Sequence, residues 1–279
     1  MQIQLTVIQN AKGQPRQGVI LHKEQVEELI YNEEDPLVPL DEQKPYKIHI
    51  FSSTHFQNPF FGMYHLANSC FFRVCDHSFN VFLGGDHYTS FGTIMGSLKQ
   101  YGSALRVLWI DAHADIHSFE TSPSGNMHGM PVRFLLTHHF PDIPQLLPEQ
   151  ILYVGLRSVE KEEWDFIRAN DIQYITAAAF LKQTDLAYEL IEDFVRDSPL
   201  HLSLDVDSLD PSIMRSTGTA ESGGLLFPHI QRMLEDSKRV AAPFFGMDIM
   251  EYNPLIGTEE EKRVSKETMR QLFQTVAKL

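Results

Sequence analysis

The feature that most constrains this chain is a repeated arrangement in which a short apolar run is followed at once by a polar cluster. Runs rich in β-branched and aromatic residues recur at 46–51, 80–83, 106–110, 151–154, 201–204 and 243–247, with the length and composition of buried strands. Between them lie segments with apolar residues at helical spacing, at 91–101, 161–169, 185–195, 228–238 and 260–277. Such alternation predicts an α/β fold: a mostly parallel sheet with helices on both faces, in a three-layer αβα arrangement. Four of the runs lead into Gly84-Gly85-Asp86-His87, Asp111-Ala112-His113-Ala114-Asp115, Asp205-Val206-Asp207 and Asp248-Ile249-Met250-Glu251. The carboxyl ends of parallel strands form one rim, where ligands bind, so clusters distant in sequence are expected to meet there.

Asp111, His113 and Asp115 stand at i, i+2 and i+4. On an extended segment that spacing turns three side chains to one side, as is needed to present three ligands to one point. Acidic residues after a strand often cap the next helix, which accounts for an isolated Asp-x-Asp. A cap has no use for the histidine and third carboxylate found here. His87 follows a glycine pair that lets the backbone bend tightly and aim the imidazole into the same cavity. Together His87, Asp111, His113, Asp115, Asp205 and Asp207 offer two imidazoles and four carboxylates, too many donors for one tetrahedral zinc and rich in hard oxygen. The set suits two ions that share a carboxylate and lower the pKa of a bridging water. Ligand hardness favours two Mn2+, although zinc, iron, cobalt or nickel would find the same donors.

The runs Gly-Gly-Asp-His at 84–87, Asp-Ala-His-Ala-Asp at 111–115, Ser-Leu-Asp-Val-Asp-Ser-Leu-Asp-Pro at 203–211 and Met-Asp-Ile-Met-Glu-Tyr-Asn-Pro at 247–254 resemble, in the right order, the signature segments of arginases and related ureohydrolases. The resemblance extends from about Asn80 to Pro254 and is specific, since four separated segments would have to coincide by chance. It implies an arginase-like fold, a binuclear manganese centre, and attack by a metal-bridging hydroxide that splits a small cationic guanidino substrate into urea and an amine. Carried over by position, His87 and Asp115 would hold one ion and His113 the other, with Asp111, Asp205 and Asp207 completing and bridging the site. Asp115 would also accept a hydrogen bond from the nucleophile. Glu251 aligns with the glutamate that orients the guanidinium, His128 with the proton-shuttle histidine, and Thr219 with a threonine near the attacked group. These roles suit the chemistry: a carboxylate takes a cationic fork bidentately, and an imidazole titrates in the range a shuttle needs.

The segment Ser124-Gly125-Asn126-Met127-His128-Gly129 resembles arginases more than agmatinases and needs no gap from Asp115, so L-arginine, giving ornithine, is the expected substrate and agmatine or another guanidino compound the alternative. By the same resemblance Ser122, Ser124 and Asn126 would hold the amino-acid end of the substrate, with His117, Glu160 and Glu163 beside them. His117 stands where arginases carry asparagine, and Glu160 where they carry aspartate. Gly155-Leu156-Arg157-Ser158 keeps the arginine but lacks the acidic residue after it, and Ala220 interrupts the Thr-Gly-Thr-Pro pattern. Lys12-Gly13-Gln14-Pro15 is similar to the arginase start, whereas 32–44 is acidic and carries prolines.

Other classes fit less well. The order of Gly-Asp and Asp-x-His, with no Gly-His-x-His after them, opposes a metallophosphoesterase, and a deacetylase-like hydrolase would need one zinc. A pseudoenzyme that binds metal or a partner protein is the non-enzymatic alternative. The formal charge of -14, with no basic cluster, excludes a phosphate-contacting role, so no nucleic acid is expected. No stretch approaches the roughly 18 apolar residues of a membrane span, and no signal peptide is evident. Two cysteines, Cys70 and Cys75, are too few for a disulfide framework, and a cytoplasmic setting fits reduced thiols. With no linker or repeat, residues 1–279 read as a single domain. The resemblance adds the expectation of a homo-oligomer, trimer or hexamer.

Overall fold

The structure, a computed structural model, describes residues 3–14, 18–30, 46–52, 56–74 and 79–279. Among these residues eight strands, β1 (Ile3–Gln9), β2 (Tyr46–Ser52), β3 (Asn80–Leu83), β4 (Arg106–Ile110), β5 (Ile151–Leu156), β6 (Gln173–Thr176), β7 (Leu200–Asp205) and β8 (Phe244–Met250), form one sheet in the order β2-β1-β3-β8-β7-β4-β5-β6. Every pairing is parallel. The helices are α1 (Lys23–Ile30), α2 (Pro59–Val74), α3 (Thr89–Tyr101), α4 (Pro131–Leu135), α5 (Lys161–Ala169), α6 (Ala177–Lys182), α7 (Thr184–Val195), α8 (Phe227–Val240) and α9 (Glu259–Lys278).

Strand alternation divides the core in two. Leu108 and Ile110 of β4 face a layer that includes Val26 of α1, Ile191 of α7, Met233 of α8 and Leu272 of α9. Val107 and Trp109 face the other layer, with Leu66 of α2, Ile94 of α3, Phe134 of α4 and Ile167 of α5. Strands β3, β5, β7 and β8 are buried along their whole length, as a sheet covered on both faces requires. The three-layer expectation therefore stands.

The expected strands and helices agree with the structure to within a few residues, and the differences have local causes. Edge strand β6 exposes Gln173 and Tyr174 and so lacks the all-apolar signal of its neighbours. Helix α2 carries phenylalanines off its buried face, with Phe61 and Phe72 exposed and Phe60 and Phe71 half-buried, which blurs its 3.6-residue period. Strand β1, α1, α4 and α6 likewise fall outside the expected runs. The acidic stretch 32–44 and Cys75 lie outside the described residues, while Cys70 is buried on α2 and free. Among the described residues, no helix is long and apolar enough to cross a membrane.

Candidate metal centre

From β3 the chain passes through α3 to β4, crossing over β8 and β7, which lie between them in the sheet. Such a reversal opens a crevice at the strand carboxyl ends. Into it project His87 after β3, Asp111 to Asp115 after β4, Asp205 and Asp207 at the end of β7, and Glu251 after β8. The glycine pair behaves as expected. A Cβ on Gly85 would lie 1.8 Å from the Asn10 carbonyl oxygen, so only glycine allows the β1 and β3 exit loops to pack this closely.

One expectation needs correction. Asp111 to Asp115 is not an extended segment: the chain bends after Ile110, and Asp115 has φ 52°. Convergence of the three side chains comes from that bend and not from strand alternation.

Three carboxylates share one device, in which a backbone N–H holds one oxygen and the other is aimed inward. Asp111 Oδ1 accepts from the His113 N–H at 2.7 Å, and Oδ2 lies 3.0 Å from His87 Nδ1. Asp205 Oδ1 accepts from the Asp207 N–H at 2.7 Å, and its Oδ2 lies 3.0 Å from the same nitrogen. Asp207 Oδ1 accepts from the Ala112 N–H at 3.3 Å, and Oδ2 lies 3.1 Å from His113 Nδ1. Asp115 Oδ2 is 3.3 Å from His87 Nδ1. Two groups have the closeness of metal ligands, His87 with Asp111 and Asp205, and Asp111 with His113 and Asp207. Asp111 belongs to both, the position of a bridging carboxylate.

His87 is fixed from behind. Its ring stacks on Trp109 at 4.1 Å between centroids, and the Trp109 Nε1–H donates to Asp111 Oδ2 at 3.0 Å. His87 Nε2 meets Ser203 Oγ at 3.0 Å, Ser203 donates to Asp248 Oδ2 at 3.3 Å, and Asp248 Oδ1 faces His201 Nε2 at 3.0 Å. A donating Nε2 leaves Nδ1 as a bare lone pair, the tautomer of a metal-bound imidazole. Nδ1 is buried, with three carboxylate oxygens around it at 3.0 to 3.3 Å. An acceptor ringed by acceptors fits a cation between them, so the donor set fits divalent ions.

The titration behaviour points the same way. Burial raises Asp115 well above the usual carboxylate range with the Asp111 charge adding to it, and raises Asp205 likewise with Asp207 adding. Asp207 is also raised, chiefly by burial. Burial would raise Asp111 too, but His113 and His87 hold it well below the usual range. Burial would lower both imidazoles, yet Asp111 and Asp205 push His87 up, and Asp207 and Asp111 push His113 up. Without a cation the pocket offsets its crowded negative charge by binding protons more readily, on the two imidazoles and on the carboxylates that burial raises.

Above this floor lies a cavity of about 260 Å3 lined by His113, Asp115, His117, His128, Gly129, Ser158, Glu160, Glu163, Asp205, Asp207, Thr219 and Glu251. His128 Nδ1 is 3.4 Å from Glu251 Oε1, and the Thr219 hydroxyl donates to Asp207 Oδ2 at 2.7 Å. Ser122, Ser124 and Asn126 are not part of the lining. The two serine hydroxyls accept from N–H groups of their own loop, those of Gly125 and Asn126.

Residues 23–275 match the model of the Arginase family. An arginase of Glaciozyma antarctica is 36% identical over 207 residues, covering 69% of this chain and 59% of that one. The chain belongs to the arginase family. A mitochondrial arginase of Homo sapiens is 36% identical over 197 residues, 65% of this chain and 55% of that one, so the match spans less than two thirds of either relative. The crystal structure of a Bacillus subtilis arginase superposes with a TM-score of 0.79 at 25% identity, covering 99% of this chain and 98% of that one. A hypothetical agmatinase of Burkholderia thailandensis shares the fold, with a TM-score of 0.73 at 18% identity.

In this arginase-family chain the departures cluster at the cavity mouth. His117 Nε2 lies 3.4 Å from Glu160 Oε2 and 3.7 Å from Glu163 Oε2, and its Nδ1 meets Thr121 Oγ1 at 3.1 Å. Glu163 spends both oxygens on backbone, accepting from the Glu160 N–H at 3.0 Å and the Ile116 N–H at 3.3 Å. It therefore closes the capping box that starts α5. Arg157 turns away from the cavity and donates to the carbonyls of Asp207, Ser208, Leu209 and Glu221, stapling the segment after β7 that carries Asp207. Three other contributors were missed in the sequence reading: Trp109 and Ser203 behind His87, and Gln14 beside Glu251. For Gln14 the sequence offers only that it follows the apolar run of β1; that β1 lies beside β3, and so brings Gln14 to Glu251, is set by the topology.

Proposed function

We propose that this chain is a binuclear ureohydrolase that splits a guanidino compound, L-arginine first, into urea and an amine, with two divalent ions, manganese first, held by His87, Asp111, His113, Asp115, Asp205 and Asp207. The observation that carries the reading is the pair of ligand groups sharing Asp111 beneath a cavity walled by Glu251 and His128. Ions in such a pair lower the pKa of water and supply a nucleophile near neutral pH.

The protein's own groups do the rest. Glu251 receives the guanidinium fork and sets the angle of its carbon. Asp115 accepts a proton or hydrogen bond at the cavity floor. His128, beside Glu251, carries a proton to the departing amine, because a guanidine nitrogen leaves only when protonated. Thr219 holds Asp207 through its hydroxyl. Among the described residues no lysine or arginine lines the cavity, so its field draws a cation inward.

A second reading, a guanidino amine such as agmatine, is supported by the mouth: the exposed carboxylate of Glu160 suits an ammonium, and Ser122 and Ser124 direct their hydroxyls to their own loop. The test is urea release by manganese-loaded protein from arginine, agmatine and guanidinobutyrate. Urea from arginine supports the first reading, and urea from agmatine alone supports the second. No urea from any of them with both ions bound refutes the hydrolase and leaves a metal-binding scaffold. The same proposal takes residues 1–279 as one domain in a cytoplasmic trimer or hexamer, and a monomer by light scattering refutes that assembly.

A further inference from the structure

The loop after β1 lies outside the residues matched by the family model, 23–275, yet it reaches the cavity wall. Gln14, 8% exposed, donates its Nε2–H to Glu251 Oε2 at 2.6 Å, and the His87 backbone N–H donates to Glu251 Oε1 at 3.0 Å. The loop is itself anchored at Gly13. Its N–H donates to buried Asp86 Oδ2 at 2.7 Å, and its carbonyl accepts from the His128 N–H at 3.2 Å. A Cβ at Gly13 would lie 2.8 Å from the Asp86 carboxylate, so the approach depends on glycine. One short loop thus braces Glu251 and the backbone of His128 together, although the two come from opposite sides of the sheet centre.

Each carboxylate oxygen has two lone pairs. With one hydrogen-bond donor on Oε2 and one on Oε1, the plane of the Glu251 carboxylate is fixed and one lone pair on each oxygen is left for a bidentate partner, with His128 Nδ1 standing 3.4 Å from Oε1. We propose that Gln14 is a positioning residue: its amide holds Glu251 in the orientation that receives the guanidinium end of the substrate. This rests on the guanidino reading above and adds a residue to it.

The test is Gln14→Met in the manganese-loaded chain. Loss of a hydrogen bond to a charged group is expected to raise KM about tenfold for whichever guanidino compound releases urea, with kcat changed less than twofold. Metal content and the inhibition constant of the matching amine product should not change. Equal loss of guanidino and amine affinity, or no change in either, overturns the proposal. If the methionine variant does not fold, Gln14→Glu keeps the shape and replaces the donor with an acceptor, and it must raise KM at least as far. If the unaltered protein releases no urea, the proposed function falls on that result alone. The inference is then read by calorimetry with agmatine: tenfold weaker binding in the variant sustains it, and unchanged binding, or none by either protein, overturns it.

Discussion

The floor and the mouth of the cavity are built on different principles. On the floor, Asp111, Asp205 and Asp207 sit at or just past the ends of central strands, are buried, and have one oxygen each pinned by a backbone N–H. At the mouth, Glu160 is more than half exposed and His117 is held by side chains, Thr121 and Glu160. The floor keeps its geometry because the sheet would have to deform to change it. The mouth lies on loops and a helix start, where residues can change without cost to the core. Reaction type is thus tied to the scaffold, and choice of substrate to its most adjustable part.

Asp111→Asn offers the largest effect with which to break this contrast. It removes charge from both ligand groups, so at least one ion should be lost by elemental analysis and turnover should fall by about a thousandfold or more, given the several kcal/mol that such ions supply. Full metal content in that variant would show that the floor does not act as a unit. His128→Ala stands at the boundary between the two regions. Metal content should remain complete while kcat falls about a hundredfold, the usual weight of a general acid; lost metal would make His128 part of the floor.

The two regions also differed in how far the sequence revealed them. Strand runs followed by Asp or His were enough to bring His87, Asp111, His113, Asp115, Asp205 and Asp207 to one place, because parallel strands end on a common rim. The bend that delivers Asp115 was not legible, since a left-handed φ at an aspartate leaves no mark in composition. Nor could the sequence show that Ser122 and Ser124 turn their hydroxyls onto their own loop, or that Glu163 is engaged as a helix cap. Those outcomes depend on which nearby N–H groups compete for an acceptor. Gln14 escaped notice because its role depends on β1 lying beside β3, which is a fact of topology and not of local pattern.

A pH titration sharpens the contrast at the floor. Neighbouring carboxylates raise His87 and His113, and burial raises Asp115, Asp205 and Asp207, so as pH falls the metal-free chain takes up protons there more readily, and a metal must displace them. Asp111, lowered, contributes none. Manganese affinity should therefore rise with pH, by about tenfold per pH unit for each proton released, as measured by competition with a chelator. A flat profile would mean that the site is already deprotonated. The smallest effect is expected at the mouth. His117→Asn should leave metal content unaltered and shift KM between arginine and agmatine by a few-fold, the range of a single polar contact whose partner, Glu160, is exposed. A loss of kcat on both substrates would tie the mouth to the chemistry after all.

The stacking of Trp109 on His87 gives the protein an internal optical gauge. Of the two tryptophans in the chain, Trp164 on the outer helix α5 packs against Tyr174 of β6 and under the Arg168 guanidinium. Trp109 touches two of them, through its ring face and its N–H. Filling or emptying the floor is expected to change the emission of one indole and leave the other as an unchanging reference within the same molecule.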